Sequence, residues 1–163
     1  MSRLAKARGS AFESLVEQHW MAYERQGICK VEKVDPPTRM AGNFVIQLDN
    51  PFLDYVGSWT ERGGRMLVIE AKTTLEPRLP ILGKSGGMTE KQVDSFKRWH
   101  AMKAAVAVLW QHDDEIRLVH SIHIEEAEWN QRKSIRWDQA DKIPRGKGFL
   151  LFDWMKSLRE LYP

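Results

Sequence analysis

A single cysteine, Cys29, occurs in the 163 residues. One thiol can neither close an intrachain disulfide nor build a cysteine-based zinc site, and it fits a reducing, cytoplasmic setting. Long apolar runs are missing as well: none approaches the roughly 20 residues a membrane helix needs. The opening Met1-Ser2-Arg3-Leu4-Ala5-Lys6-Ala7-Arg8 is basic but has no apolar centre of the kind a secretory signal carries. There is no internal repeat and no low-complexity tract. The five histidines, His19, His100, His112, His120 and His123, show no zinc spacing to other ligands, and structural roles are expected for His120 and His123. Gly86-Gly87 precedes a helical pattern, but the Gly-x4-Gly-Lys-Ser/Thr phosphate loop is absent. Neither sign of charge dominates: 25 basic against 22 acidic residues leave a net charge of +3, a weak pointer to an anionic partner.

What is present is ordinary for a soluble globular chain, with 42% hydrophobic and 29% charged residues. The length fits one domain over 1–163. From Ser10, a plausible N-cap, the apolar positions Phe12, Leu15, Val16, Trp20 and Tyr23 recur at helical spacing up to a stop at Gly27. Strands are expected over Ile28–Val34, Phe44–Leu48 (or a projecting segment there), Phe52–Trp59 and Arg65–Thr73. The middle of the last is wholly apolar and so reads as central, and Glu61-Arg62-Gly63-Gly64 forms its hairpin. Residues 75–88 hold Pro77, Pro80, Gly83, Gly86 and Gly87 and read as a mobile loop; residues 1–9 read as a basic flexible N-terminus. Thr89-Glu90-Lys91-Gln92 opens a second helix. Ala104–Trp110 and Ile116–Ile122 follow as strands, then a short helix over Glu125–Gln131 and a last helix over Phe149–Leu161. This order implies an α/β (α+β) domain, a mixed sheet with helices packed on it.

The chemistry concentrates at Asp54 and at Glu70-Ala71-Lys72, 16 positions later (70 minus 54). Side chains alternate along a strand, so Glu70 and Lys72 share a face. If the hairpin pairs as read, Asp54 neighbours Glu70 and the two carboxylates can share one ion. Magnesium is the natural choice for such hard oxygen donors, and the backbone carbonyl of Ala71 can add another. Lys72 would then sit beside a scissile phosphate, orienting water or stabilising developing charge. The bland alternative is an ordinary surface Glu–Lys pair. Glu13 is either a further site carboxylate or a capping-box partner of Ser10; Gln92 can reach the metal or serve the capping box Thr89-x-x-Gln92. Basic residues on termini and loops suit phosphate contact without base reading: Arg3, Lys6, Arg8, Arg39, Arg78 and Lys84.

Several segments, in order along the chain, resemble the RecU-type Holliday junction resolvases of the PD-(D/E)xK nuclease superfamily. These are Gly9-Ser10-Ala11-Phe12-Glu13, Lys33 to Arg39, Asp54-Tyr55-Val56-Gly57, Ile69 to Thr74, Leu79-Pro80-Ile81 followed by Gln92, and Gly148-Phe149-Leu150. The resemblance implies a restriction-endonuclease-like sheet with a short projecting stalk segment. It implies metal ligation by Asp54, Glu70 and Gln92, with Mg2+ as the cofactor and Mn2+ able to substitute. Lys72 would stabilise the transition state. A homodimer would bind a four-way DNA junction and nick two strands symmetrically. Phe52 stands where the family usually has a ligating Thr, and the segment from Arg39 to Asp54 is shorter than the family's stalk. The compact size suits a bacteriophage-encoded version. The alternatives are another PD-(D/E)xK DNA nuclease, restriction-like or acting on flaps or single strands, and a branched-DNA-binding module that no longer cuts.

Overall fold

The computed structural model describes residues 3–35, 38–41, 44–47, 53–81, 87–148 and 150–163. Helix α1 spans Arg3–Arg25 and buries Phe12, Val16, Trp20 and Tyr23 along one side. It ends in a Schellman arrangement: Ile28 N–H donates to the Tyr23 carbonyl at 3.0 Å and Gly27 N–H to the Glu24 carbonyl at 2.9 Å. Gly27 takes the left-handed conformation that this turn requires, at φ +69°. The start of α1 differs from expectation. Ser10 lies inside the helix, where its carbonyl accepts from the Ser14 hydroxyl, so neither the cap at Ser10 nor its capping box with Glu13 forms. Leu4-Ala5-Lys6-Ala7-Arg8 are good helix formers and carry the helix back through the segment expected to be flexible.

Six strands build the main sheet: β1 (Cys29–Lys33), β4 (Tyr55–Trp59), β5 (Arg65–Thr74), β7 (Ala105–His112), β8 (Glu115–His120) and β10 (Asp141–Lys142), in that spatial order. All neighbours are antiparallel except β5 and β7, so the sheet is mixed. A parallel pair needs a crossover, and the chain between β5 and β7 supplies it with helix α2 (Glu90–Ala101). Strands β2 (Thr38–Ala41) and β3 (Phe44–Gln47) pair as a separate two-stranded ribbon, β3 falling on the segment expected as a short strand or part of a projecting segment. Helix α3 (Ser121–Trp129) begins earlier than its acidic run indicated, and α4 (Trp154–Leu161) begins later than Phe149, which is outside the described residues.

Two apolar layers cover the sheet. On one face Leu67, Ile69, Ala107 and Leu109 pack against α1 and α4; on the other Val68, Val106, Val108 and Trp110 meet α2 and α3. The segment 75–88 contains a strand, β6 (Arg78–Pro80), paired antiparallel with β9 (Ser134–Arg136), and buries Leu79 and Ile81 in the second layer. Residues 82–86 are outside the described part. No helix among the described residues is long and apolar enough to cross a membrane.

Candidate active site

The β4–β5 ladder runs from Trp59↔Arg65 to Tyr55↔Ile69, so one step further Asp54 stands opposite Glu70. Reciprocal bonds lock that step. Asp54 N–H donates to Glu70 Oε2 at 3.2 Å, and Ala71 N–H donates to Asp54 Oδ2 at 3.0 Å. From the other side, Val34 N–H donates to the Asp54 carbonyl at 2.8 Å, which ties Asp54 to the chain leaving β1. Alternation along β5 sends Ala71 to the α1 layer and Glu70 and Lys72 to the α2 face.

Glu70 has no exposed surface. Its Oε1 takes the Lys72 ammonium at 2.6 Å and the Gln92 amide N–H at 2.6 Å. Burial pushes its carboxyl up to about 7, against the pull of Lys72 and with the added push of Asp54. Asp54 is shifted the same way, chiefly by burial, with Ala71 N–H and Lys72 opposing and Glu13 adding to the rise. A charge removed from water needs a partner or a cation, and here two carboxyls share one ammonium. A surface Glu–Lys pair is therefore not what the strand carries.

Gln92 forms the capping box expected of it and also reaches Glu70. Its Oε1 accepts Thr89 N–H at 3.1 Å in the capping box of α2, which leaves its amide nitrogen facing Glu70. In this arrangement Gln92 acts on Glu70 as a donor while its oxygen is held in the cap. Glu13 lies at the margin. Its carboxylate is bound by Lys33 at 2.7 Å, Glu17 shares that lysine at 3.3 Å, and Tyr55 Oη donates to the Glu13 carbonyl at 3.4 Å. Asp54, Glu70, Lys72 and Gln92 are thus brought together, with Glu13 felt at Asp54 through its charge. Lys33 was not singled out from the sequence. It enters there only as the start of the segment Lys33 to Arg39, and a partner 20 positions away in α1 was not visible.

The donors suit a hard divalent cation. Magnesium keeps several waters and is commonly held by one or two carboxylates, and Asp54 and Glu70 provide two. Among the described residues no group of three or more His, Cys, Asp or Glu side chains is arranged to hold a metal, so such an ion would complete its shell with water and the Ala71 carbonyl.

Of the residues expected to meet phosphate, Arg8 is half-exposed and approaches Asp113 at 3.7 Å, near Thr73 and Thr74 at the far end of β5. Arg78 is exposed on β6. Arg3 and Lys6 lie in α1 and Arg39 in β2, with only their backbones described; Lys84 and Phe52 lie outside the described residues. The histidines hold structure. His19 accepts from Leu151 and Phe152 N–H, and His120 and His123 cap the start of α3. Trp59, Trp110 and Trp154 are core residues, whereas Trp129 is 87% exposed.

No family model and no curated protein matches the chain. Among solved structures, a Holliday junction resolvase from Archaeoglobus fulgidus, Hjc, aligns with a TM-score of 0.49 and 16% identity, over 82% of this chain and 95% of that one.

Proposed function

We propose that this protein is a Mg2+-dependent endodeoxyribonuclease selective for branched DNA, acting as a homodimer that nicks four-way junctions in symmetric pairs. The observation that carries the reading is Glu70: a fully buried carboxyl, raised in pKa, held between Lys72 and Gln92 and facing Asp54. Natural chains tolerate such local cost chiefly where chemistry needs it. Mg2+, with Mn2+ as a substitute, would supply a Lewis acid and a nucleophilic water at neutral pH. Asp54, Glu70 and the Ala71 carbonyl would hold it.

The chain's own groups do the rest. Gln92 fixes the rotamer of Glu70 from the first turn of α2. Lys72, 20% exposed beside Glu70, would offer its ammonium to the phosphate oxygens as negative charge grows on them. Water adds to phosphorus and gives up a proton to solvent, the bond to one ester oxygen breaks, and that oxygen leaves with a proton from solvent.

The junction preference rests on the ordered segments from Gly9 to Leu150 and on the match between a two-fold dimer and a symmetric four-way substrate. A second reading, a nuclease of the same superfamily that prefers flaps or duplex, draws on the short segment between Arg39 and Asp54. Competition among a labelled four-way junction, a flap and a duplex of equal length decides between them. The junction should be cut first, and preferential cutting of the flap would replace the resolvase reading with the second. A binding-only module fits less well, because a protein that no longer cuts has no use for a buried Glu70 beside Asp54.

A further inference from the structure

The β6–β9 ribbon places two arginines directly opposite each other: Arg78 pairs with Arg136 in the antiparallel register. Side chains so placed stand roughly 5 Å apart at Cβ, and like charges there disfavour the fold. The ribbon's inner positions, Leu79 and Ile135, are buried, while Arg78 and Arg136 face outward and are exposed. Arg132 and Lys133, also exposed, lead the chain into β9, and the Lys133 carbonyl accepts Ile81 N–H at 2.9 Å. Arg78, Arg132 and Lys133 form no ion pair within the described residues. Arg136 has one, with Asp138 at 3.2 Å, and both partners are at least 61% exposed, a setting in which a pair contributes little.

This cationic edge lies on the same side of the sheet as Glu70 and Lys72. Leu79 and Ile135 belong to the same apolar layer as Val68, on the face where Glu70 and Lys72 project. Met88 N–H donates to the Pro80 carbonyl at 2.9 Å, and Thr89 next to it is the cap that holds Gln92 against Glu70. The ribbon is thus tied by its backbone to the start of the helix that carries Gln92. We infer that the outward face of the β6–β9 ribbon, Arg78 and Arg136 with Lys133 beside them, is a phosphate-backbone contact that seats an arm of the DNA substrate next to the Glu70–Lys72 site. The inference rests on the nuclease reading for the identity of the polyanion. Phosphates bridging Arg78 and Arg136 relieve the repulsion that the free ribbon carries, and such contacts position DNA without reading its bases.

The test uses the full chain, without divalent metal, and a fluorescent four-way junction and duplex titrated across a salt series. The Arg78→Gln/Arg136→Gln variant should lower the slope of log affinity against log salt by about 1.8, at roughly 0.9 per lost phosphate contact, and weaken both DNAs by a similar factor. Its melting temperature should equal or exceed that of the wild type, and its Mg2+-induced thermal shift should be unchanged. Lys133→Gln alone should lower the slope by about 0.9, which keeps the test alive if the double variant does not fold. An unchanged slope overturns the inference. Lost binding to polyglutamate with DNA binding intact also overturns it, by assigning the ribbon to an acidic protein. Wild type that cuts DNA while the variant keeps its slope removes the ribbon contact alone. Wild type that binds through the ribbon but cuts nothing with any divalent ion removes the nuclease reading alone.

Discussion

Glu70 shares one buried carboxyl among three donors: Lys72 Nζ, Gln92 Nε2 and Asp54 N–H. With its pKa raised from 4.5 to about 7, the folded chain keeps a proton between those values that the unfolded chain has lost. Stability contributed by this group is therefore present below the unfolded value and lost as pH rises towards 7. Asp54, raised as well, acts in the same direction. A cation at these oxygens competes with that proton, so metal binding tightens as pH rises. The Mg2+-induced rise in melting temperature should be larger at about pH 8 than at about pH 6; equal shifts would mean that the ion binds elsewhere. Glu70→Gln keeps the shape and removes the ionisable group. It should lose at least about 100-fold in DNA cleavage, as for removal of a group that stabilises the transition state, while melting at or above the wild-type temperature under alkaline conditions. Melting well below it would make Glu70 a structural residue.

The site depends on how closely strands β1 and β4 approach. A Cβ at Gly57 would collide with the Lys30 carbonyl oxygen and come within 2.6 Å of Val31 Cα, so only glycine fits opposite Val31. Gly57→Ala must push β1 away, at a cost of about 1–3 kcal/mol, readable by urea denaturation. It should also diminish the Mg2+-induced thermal shift, because Asp54 hangs from the chain after β1 through the Val34 N–H. Unchanged stability would show that β1 yields freely. The elements that position the site were legible because their signals are local: the apolar run Met66 to Ile69, the alternation that separates Ala71 from Glu70 and Lys72, and the cap Thr89–Gln92. What escaped was non-local or ambiguous. Strand β6 is three residues long and ends in a proline, and its partner β9 lies more than 50 positions away. At Ser10 a good capping residue sits inside a run of good helix formers, and the run prevails. Lys33 was invisible as the partner of Glu13 because nothing in the intervening chain announces that contact.

Across the whole molecule, each face of the sheet has a distinct task. The α1–α4 face is apolar throughout the central strands and carries one of the two core layers. The α2–α3 face interrupts its apolar layer at Glu70 and Lys72 and borders the cationic β6–β9 ribbon. Under the proposed function, DNA would lie against the second of these faces. The central claim, that Asp54, Glu70 and Lys72 form a hydrolytic centre for branched DNA, is tested most directly by single-turnover cleavage of an end-labelled four-way junction with Mg2+, comparing wild type with Lys72→Ala. The wild type should give paired, symmetric nicks, and Lys72→Ala should be slower by about 100- to 1000-fold with junction binding retained. A wild type that leaves the junction intact with every divalent ion, or a Lys72→Ala variant that cuts at the wild-type rate, would contradict the claim.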